Sequence, residues 1–372
     1  MTYKFDISLG HTWSLRESGK TADVPMTDLL CLLAAIDATG NIAGACKICE
    51  LSYRHAWGIL RRFETLFGTP LILTRRRQGT SLSPFAERLV WANRRLGARL
   101  TPTLQSLASE LQEELAQLLP EPTPHLRLHA SHGFAVEALM QHVSQAEHAV
   151  ELRYRTAIEA LASLSRGECD LAGFQVPLGA FEAPIMNRYA QWVQSQDVLL
   201  IHLAVRNTGL FVQAGNPKQI RGIEDLARDD VRFVNRQIGS STRYLIGLML
   251  EQAHIPIDHV QGYESNEFTH MAIAAHIASG MADTGVGVET AAARFKLDFI
   301  ALVRERYFFA IRREALHGVG IQALLKVMRS QAYREYVGTL VGYDATETGS
   351  LQTLEQAFGV RRNRNAQPSD YD

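Results

Sequence analysis

The sequence predicts a multidomain chain: a small α-helical head with short β elements, one long connecting helix, and an alternating α/β body. Three observations predict it. Apolar residues recur at helical spacing in short segments up to residue 67, and again over one long segment, Phe85–Leu119. The stretch Pro120-Glu121-Pro122-Thr123-Pro124 then reads as a stiff linker. Beyond it, strand-like and helix-like segments alternate in the rhythm of βαβ units. A chain of 372 residues is long enough for two or three domains with full cores.

In the head, residues 3–24 alternate (Phe5, Ile7, Leu9, then Trp13, Leu15) about Gly10, which predicts a short β-hairpin. Met26–Ala38 has helical periodicity with Thr27 or Asp28 as its cap, and Gly40-Asn41 breaks it. Ile42–Cys49 is a short helix and Ser52–Phe67 the next, ended by Thr69-Pro70. Leu71-Ile72-Leu73 is a strand, followed by the turn Arg75-Arg76-Arg77-Gln78-Gly79. Ser83-Pro84 opens the long helix, with leucines at 89, 96, 100, 104, 107, 111, 115 and 118. Such a stripe needs a partner, and a second copy of the same helix is the simplest one.

The body opens with strand Leu126–Ala130, helix Phe134–Val143, strand Val150–Tyr154, helix Ala157–Ser165 and strand Leu171–Gln175. This order predicts a parallel sheet with helices on both faces. A strand at Val198–Val205 follows, then Leu210-Phe211-Val212, strand Arg232–Asn235, and helices Thr242–Gln252 and Thr269–Ser279. Strands Asp283–Val288, Phe299–Val303 and Tyr307–Ile311 come next, and the last helices lie in Gly320–Tyr336 and Gly349–Phe358.

Charge separates these regions. The net charge is -1, but residues 1–100 carry 14 Lys and Arg against 8 Asp and Glu, and the remaining 272 carry 24 against 31. Between Ser52 and Arg99 there are ten arginines and two acids, Glu64 and Glu87. A basic head on an acidic body suits a DNA-binding module joined to a regulatory one. A helix followed by a strand and a basic, Gly-containing turn is the order in which a winged helix-turn-helix meets a duplex. Arg54 can pair bidentately with guanine, and Ser52, Tyr53 and His55 can reach bases or phosphates. Arg75, Arg76 and Arg77 suit phosphate contacts, Arg61 adds positive charge on the DNA-binding helix, and Trp57 and Phe63 suit the core. The predicted partner is therefore double-stranded DNA; a head that contacts protein instead is the alternative.

Two strand-to-helix turns in the body suit an anion. Asn235-Arg236-Gln237-Ile238-Gly239-Ser240-Ser241-Thr242-Arg243 brings hydroxyls and free N–H groups to a helix start, and Ser131-His132-Gly133 is a similar turn in the other half. Two facing turns are what a cleft binder needs. Thr284-Gly285-Val286-Gly287 permits close backbone approach, and no G-x-G-x-x-G follows it. No nucleophile–base set or metal-ligand cluster is legible, so no enzyme is predicted. Cys46-Lys47-Ile48-Cys49 reads as small buried helix residues, and four cysteines without a disulfide-like framework fit a reducing cytosol. Met1-Thr2-Tyr3-Lys4-Phe5-Asp6 has no apolar signal region and no run reaches membrane length, so a cytoplasmic protein without a membrane partner is expected.

These motifs carry a resemblance. Leu51-Ser52-Tyr53-Arg54-His55-Ala56-Trp57 is similar to the winged helix of molybdate-responsive ModE-type repressors. Phe67-Gly68-Thr69-Pro70-Leu71 and Leu82-Ser83-Pro84 resemble LysR-type regulators. Residues 126–315 resemble the periplasmic-binding-protein-like domain fused to such heads, carried by Gly209-Leu210-Phe211-Val212, Gly215-Asn216-Pro217, Phe233–Arg243 and Thr269–Ala274. The resemblance implies a one-component regulator of molybdenum or tungsten enzyme genes, such as formate dehydrogenase. It also implies a two-lobed, type II sensor and a homodimer or homotetramer. The implied effector is molybdate or tungstate, with formate or another small anion behind, and no cofactor.

The effector residues expected are Ser131, His132, Gln175, Asn235, Gln237, Gly239, Ser240, Ser241, Thr242, Arg243 and Thr284. Four positions depart from the pattern: Glu50 stands for a glycine, Ser241 for a glycine, Gln175 for a histidine and Gly133 for an acid. The expected division is residues 1–84 for the head, 85–124 for the dimerisation helix and linker, 125–198 with 306–358 for one lobe, 199–305 for the other, and 359–372 as a tail.

Overall fold

The computed structural model describes residues 7–16, 23–75, 79–117, 126–145, 150–193 and 197–359. The chain divides into two compact units, Gly10–Leu100 and Thr101–Asp372 with Met1–Leu9. The stiff-linker expectation at residues 120–124 falls outside the described residues.

In the first unit, β1 (Ser14–Arg16) pairs antiparallel with β2 (Asp23–Pro25), later in the chain than the hairpin expected over residues 3–24. Three helices follow: α1 (Thr27–Thr39), α2 (Ile42–Ile48) and α3 (Tyr53–Phe67). Met26, not Thr27 or Asp28, precedes α1, without a side-chain cap. Asn41 caps α2 by accepting from Gly44 N at 2.6 Å, and Ser52 caps α3 by accepting from His55 N at 3.2 Å. The three helices bury Leu29, Leu32, Leu33, Ile36, Ala45, Ala56, Leu60 and Phe63 in one core. Between α2 and α3, Glu50 takes a left-handed backbone with φ 54°.

Strands β3 (Ile72–Arg75) and β4 (Gly79–Leu82) form an antiparallel ribbon. Its tip needs glycine: Gly79 has φ 88°, and a Cβ there would stand 2.7 Å from Gly40 O. One cysteine expectation is corrected. Cys31 on α1 and Cys49 at the end of α2 form a disulfide, with Cα atoms 6.2 Å apart, whereas Cys46 and Cys169 are free and buried. Eighteen residues separate the pair in sequence, and only the packing of α2 on α1 brings them together.

Helix α4 (Pro84–Gln117) is one unbroken element shared by the units, its residues to Leu100 in the first and from Thr101 in the second. Leu100, Leu107 and Leu111 are exposed, on one face by their helical spacing.

The second unit begins with β5 (Leu126–Ala130), α5 (Phe134–Gln145), β6 (Val150–Tyr154), α6 (Ala157–Arg166), β7 (Leu171–Pro177) and α7 (Glu182–Val193). The chain then runs out along β8 (Val198–Val212) and builds β9 (Phe233–Arg236), α8 (Ser241–Gln252), β10 (Asn266–Glu267), α9 (His270–Ala278), β11 (Thr284–Val288) and α10 (Glu289–Arg294). It returns along β12 (Asp298–Arg312) to α11 (Val319–Met328), α12 (Gln331–Thr339), β13 (Tyr343–Asp344), β14 (Leu351–Gln352) and α13 (Leu354–Phe358).

The main strand order is β10-β9-β11-β8-β12-β7-β5-β6. The parallel pairing expected of β5, β6 and β7 is present, within a sheet that is mixed as a whole. Pairs β5–β6, β5–β7, β9–β10 and β9–β11 are parallel, but β8 and β12 run antiparallel to each other and to their outer neighbours. Sequence periodicity also split each of these 15-residue strands in two, because polar residues interrupt the apolar run. The interruption is a buried cross-strand pair: Arg206 Nη2 lies 3.1 Å from Glu305, and Thr208 Oγ1 donates to the same carboxylate at 2.8 Å. The lobe limits expected at 198/199 and 305/306 therefore fall at the start of β8 and inside β12. No helix among the described residues is long and apolar enough to cross a membrane.

Candidate functional site

A cavity of about 390 Å³ opens in the second unit at the carboxyl ends of its parallel strands. Ser131 and His132 come from the β5–α5 turn, Tyr154, Arg155 and Thr156 from the β6–α6 turn, and Gln175 from β7. Arg236, Gln237, Ser240, Ser241 and Thr242 come from the β9–α8 turn, and Phe268 and His270 from the approach to α9. Thr103, Ser106, Leu107 and Glu110 of α4 complete the lining. The starts of α6, α8 and α9 all border this space, so their free N–H groups and positive dipole ends favour an anion.

Local chemistry holds each turn. Ser240 caps α8 by accepting from Arg243 N at 3.1 Å, which leaves its own O–H to donate. The Ser241 hydroxyl pairs at 2.6 Å with Tyr189, and Ser131 at 3.3 Å with Tyr307. Thr156 caps α6 in a capping box with Glu159, whose carboxylate accepts from Thr156 N at 2.7 Å and from its hydroxyl at 2.8 Å.

Arg236 is the central charge. It ends β9 only 4% exposed, and its Nε and Nη1 have no hydrogen-bond partner among the described residues. Burial and, after it, the neighbouring Arg206 lower the pKa of its guanidinium to about 9, which still leaves a cation at neutral pH. The imidazoles beside it respond. Burial first, then Arg236, lowers His132 to about 4 and holds His270 well below the ordinary value, so both are neutral at pH 7. Gln175 Oε1, Gln237 Oε1 and His270 Nδ1 are also without partners among the described residues. A buried cation lacking a hydrogen-bonded acid, ringed by hydroxyls, an amide and neutral imidazoles, is set up to receive a small anion.

Of the effector residues expected from sequence, Ser131, His132, Gln175, Gln237, Ser240, Ser241 and Thr242 share this cavity. The other four are absent from its lining. Asn235 is fully buried and braces the loop, donating to Tyr263 O at 3.2 Å and accepting from Arg236 N at 2.8 Å. Gly239 serves the turn, with φ 87°. Arg243 stands over the Tyr263 ring and pairs with Glu264 at 2.8 Å, its charge spent there. Thr284 is buried on β11. Sequence reasoning passed over Arg236, Tyr154, Arg155 and His270; a charged residue at the end of a buried strand, just before a glycine turn, was the available signal for Arg236. The α4 residues gave no such signal.

In the first unit, Ser52, Tyr53, Arg54, His55, Arg61 and Arg62 are all exposed, and Arg54, Gly58, Arg61 and Thr65 follow one solvent face of α3. Trp57 is half-buried with the Arg61 guanidinium 5.9 Å over its ring, and Phe63 is in the core. Arg76 and Arg77 lie outside the described residues, as does the side chain of Arg75. Among the described residues no group of three or more His, Cys, Asp or Glu is placed to hold a metal ion.

Comparison with known proteins adds four findings. Residues 136–329 match the model of a PBP superfamily domain. The chain is 29% identical over 250 residues to the uncharacterised protein YvgK of Bacillus subtilis, covering 66% of this chain and 79% of that one. It is 34% identical over 95 residues to an uncharacterised protein from the 5′ region of a ferredoxin gene of Clostridium pasteurianum, covering 25% of this chain and 84% of that one. Among solved structures, CbnR, a LysR family transcriptional regulator, covers 80% of this chain and 98% of its own at 15% identity, with a TM-score of 0.38, too loose a likeness to bear on function.

Proposed function

This chain belongs to the PBP superfamily, and from that premise we propose that it is a DNA-binding transcription regulator whose second unit senses a small anion. The observation that carries the proposal is Arg236, a desolvated cation with two unpartnered N–H atoms at the bottom of a strand-end cavity. Bound there, an anion takes hydrogen bonds from Arg236, the Ser240–Thr242 helix start and the Ser131-His132 turn. Molybdate and tungstate are the first candidates, formate and other small anions the next. Long strands β8 and β12 connect the two halves of the cleft and are its natural hinge. An anion that bridges both halves selects the closed form and shifts its population.

The first unit is proposed as a winged helix-turn-helix, with α3 in the major groove and the β3–β4 ribbon at the phosphates. The exposed side chains of Ser52, Tyr53, Arg54, His55, Arg61 and Arg62 support this, as does the excess of basic residues before residue 100. The exposed leucines of α4 support a homodimer, with closure altering how paired heads span an operator. Control of molybdenum or tungsten enzyme genes is the role the sequence resemblance suggests.

Thermal unfolding with molybdate, tungstate, sulfate, phosphate and formate tests the proposal. A ligand at 100 times its Kd adds roughly 2.7 kcal/mol to the unit that binds it. A selective rise in Tm, lost in Ser240→Ala with Thr242→Ala, is the expected result. No shift with any of the five overturns the anion sensor.

A further inference from the structure

Helix α4 borders the cavity through Ser106 and Glu110, although nothing in its sequence marks it as part of a binding site. The contact is specific. Tyr154 ends β6, and its N–H donates to Ser106 Oγ at 3.1 Å. The Tyr154 ring lies 5.2 Å from that of His132, which lines the cavity beside Arg236. Ser106, Tyr154 and His132 thus form a continuous series from the helix to the buried floor. Burial grades the same way: Arg236, Gln175 and Thr242 are buried, whereas Thr103 and Leu107 are exposed. The helix therefore stands at the mouth.

Charges of both signs stand at the mouth, where Arg155 and Glu110 line the cavity together. Glu159 is already committed to the Thr156 cap. Glu110 is half-buried, and its carboxylate is 4.0 Å from Arg153, an ion pair at the outer limit of contact, so a change of charge at this position alters the balance that an entering anion meets.

We propose that the last third of α4 is part of the ligand site, with Ser106 and Glu110 setting anion affinity from the mouth of the cavity. This rests on the anion-sensing proposal above and deepens it. The same helix continues through residues 84–100 of the first unit, so a bound anion acts on the connecting helix directly as well as through cleft closure.

The full-length protein is titrated calorimetrically with molybdate, tungstate, sulfate, phosphate and formate, and the tightest of these is carried through a charge series. Glu110→Gln removes a negative charge from the mouth and is expected to tighten the anion at least threefold. Ser106→Asp adds one and is expected to weaken it at least tenfold, both effects shrinking as sodium chloride is raised. Unliganded Tm values check that each variant folds, and Ser106→Asn serves if Ser106→Asp does not, with a loss of less than threefold expected for this uncharged change. Parent-like affinity in both charge variants overturns the role of α4 while the cleft proposal stands. If none of the five anions binds the parent, both fall.

Discussion

The same residue type does opposite work in the two units. On α3, Arg54, Arg61 and Arg62 stand in water, where each charge is screened and acts by addition. In the cleft, Arg236 is buried beside Arg206, so its pKa falls to about 9, and its unpartnered N–H atoms favour a ligand that supplies the missing acceptor. Exposed arginines give reach with tolerance of position, and a buried one gives strength at a single point. The comparison teaches that the count of arginines in a region says little until their solvation is known.

The largest expected effect breaks the cleft side of the contrast. Glu305→Ala strands Arg206 without its buried acid and is expected to destabilise the second unit by about 3–5 kcal/mol in urea unfolding. A loss under about 1 kcal/mol would mean that Arg206 finds water or another acid, and that water reaches this part of the sheet.

Arg236→Gln separates binding from folding. Loss of anion affinity by at least about a hundredfold, near 2.7 kcal/mol, is expected with an unliganded Tm at or above the parent's, because the variant removes a buried charge that lacks a hydrogen-bonded acid. Retained affinity would place the anion elsewhere.

Acid sharpens the contrast in another way. His132 is held at about 4 in the folded state against an ordinary 6.5, so the fold favours its neutral form. That contribution is complete above about pH 6.5 and is lost as pH falls toward 4. Thermal unfolding of the second unit between pH 7 and 4 should show the loss, and His132→Asn should flatten it. An unchanged pH profile in the variant would assign the acid limb to other groups, with His129 and His270 first.

On the exposed side, Arg61→Ala with Arg62→Ala should weaken DNA binding on all sequences alike. It should also lower the slope of log K against log salt by about 0.9 for each phosphate no longer neutralised. Arg54→Ala should cost roughly 1–3 kcal/mol and relax discrimination at one base pair. A fluorescence-anisotropy titration across salt reads both, and an unaltered slope would favour a head that binds protein. The smallest effect is structural. Glu50→Gly relieves a left-handed glutamate and should stabilise the first unit by about 0.5–1 kcal/mol.

Much of this was legible in the residues because it is local. The α1, α2 and α3 spans follow from apolar spacing and from the breaks at Gly40-Asn41 and Thr69-Pro70. The Ser240 cap and the Ser131-His132 turn followed from the strand-to-helix order, and both border the cavity. Arg243 lies off the cavity lining for an instructive reason. From sequence it is one more donor in a polar loop, but one helical residue's rotation turns it onto Tyr263 and Glu264. Arg236, three residues before Gly239, holds the buried position instead.

The sequence by itself determined the order of elements, the basic head and the two polar turns, since periodicity, capping and charge act over a few residues. Tertiary structure alone decided the rest. It joined each broken apolar run into one long strand by pairing Arg206 with Glu305, and it linked Cys31 to Cys49. It also left Arg236 unpartnered and set α4 at the cavity mouth. The physical reason is that desolvation and pairing depend on which distant segments exclude water from a group, and no local pattern encodes that.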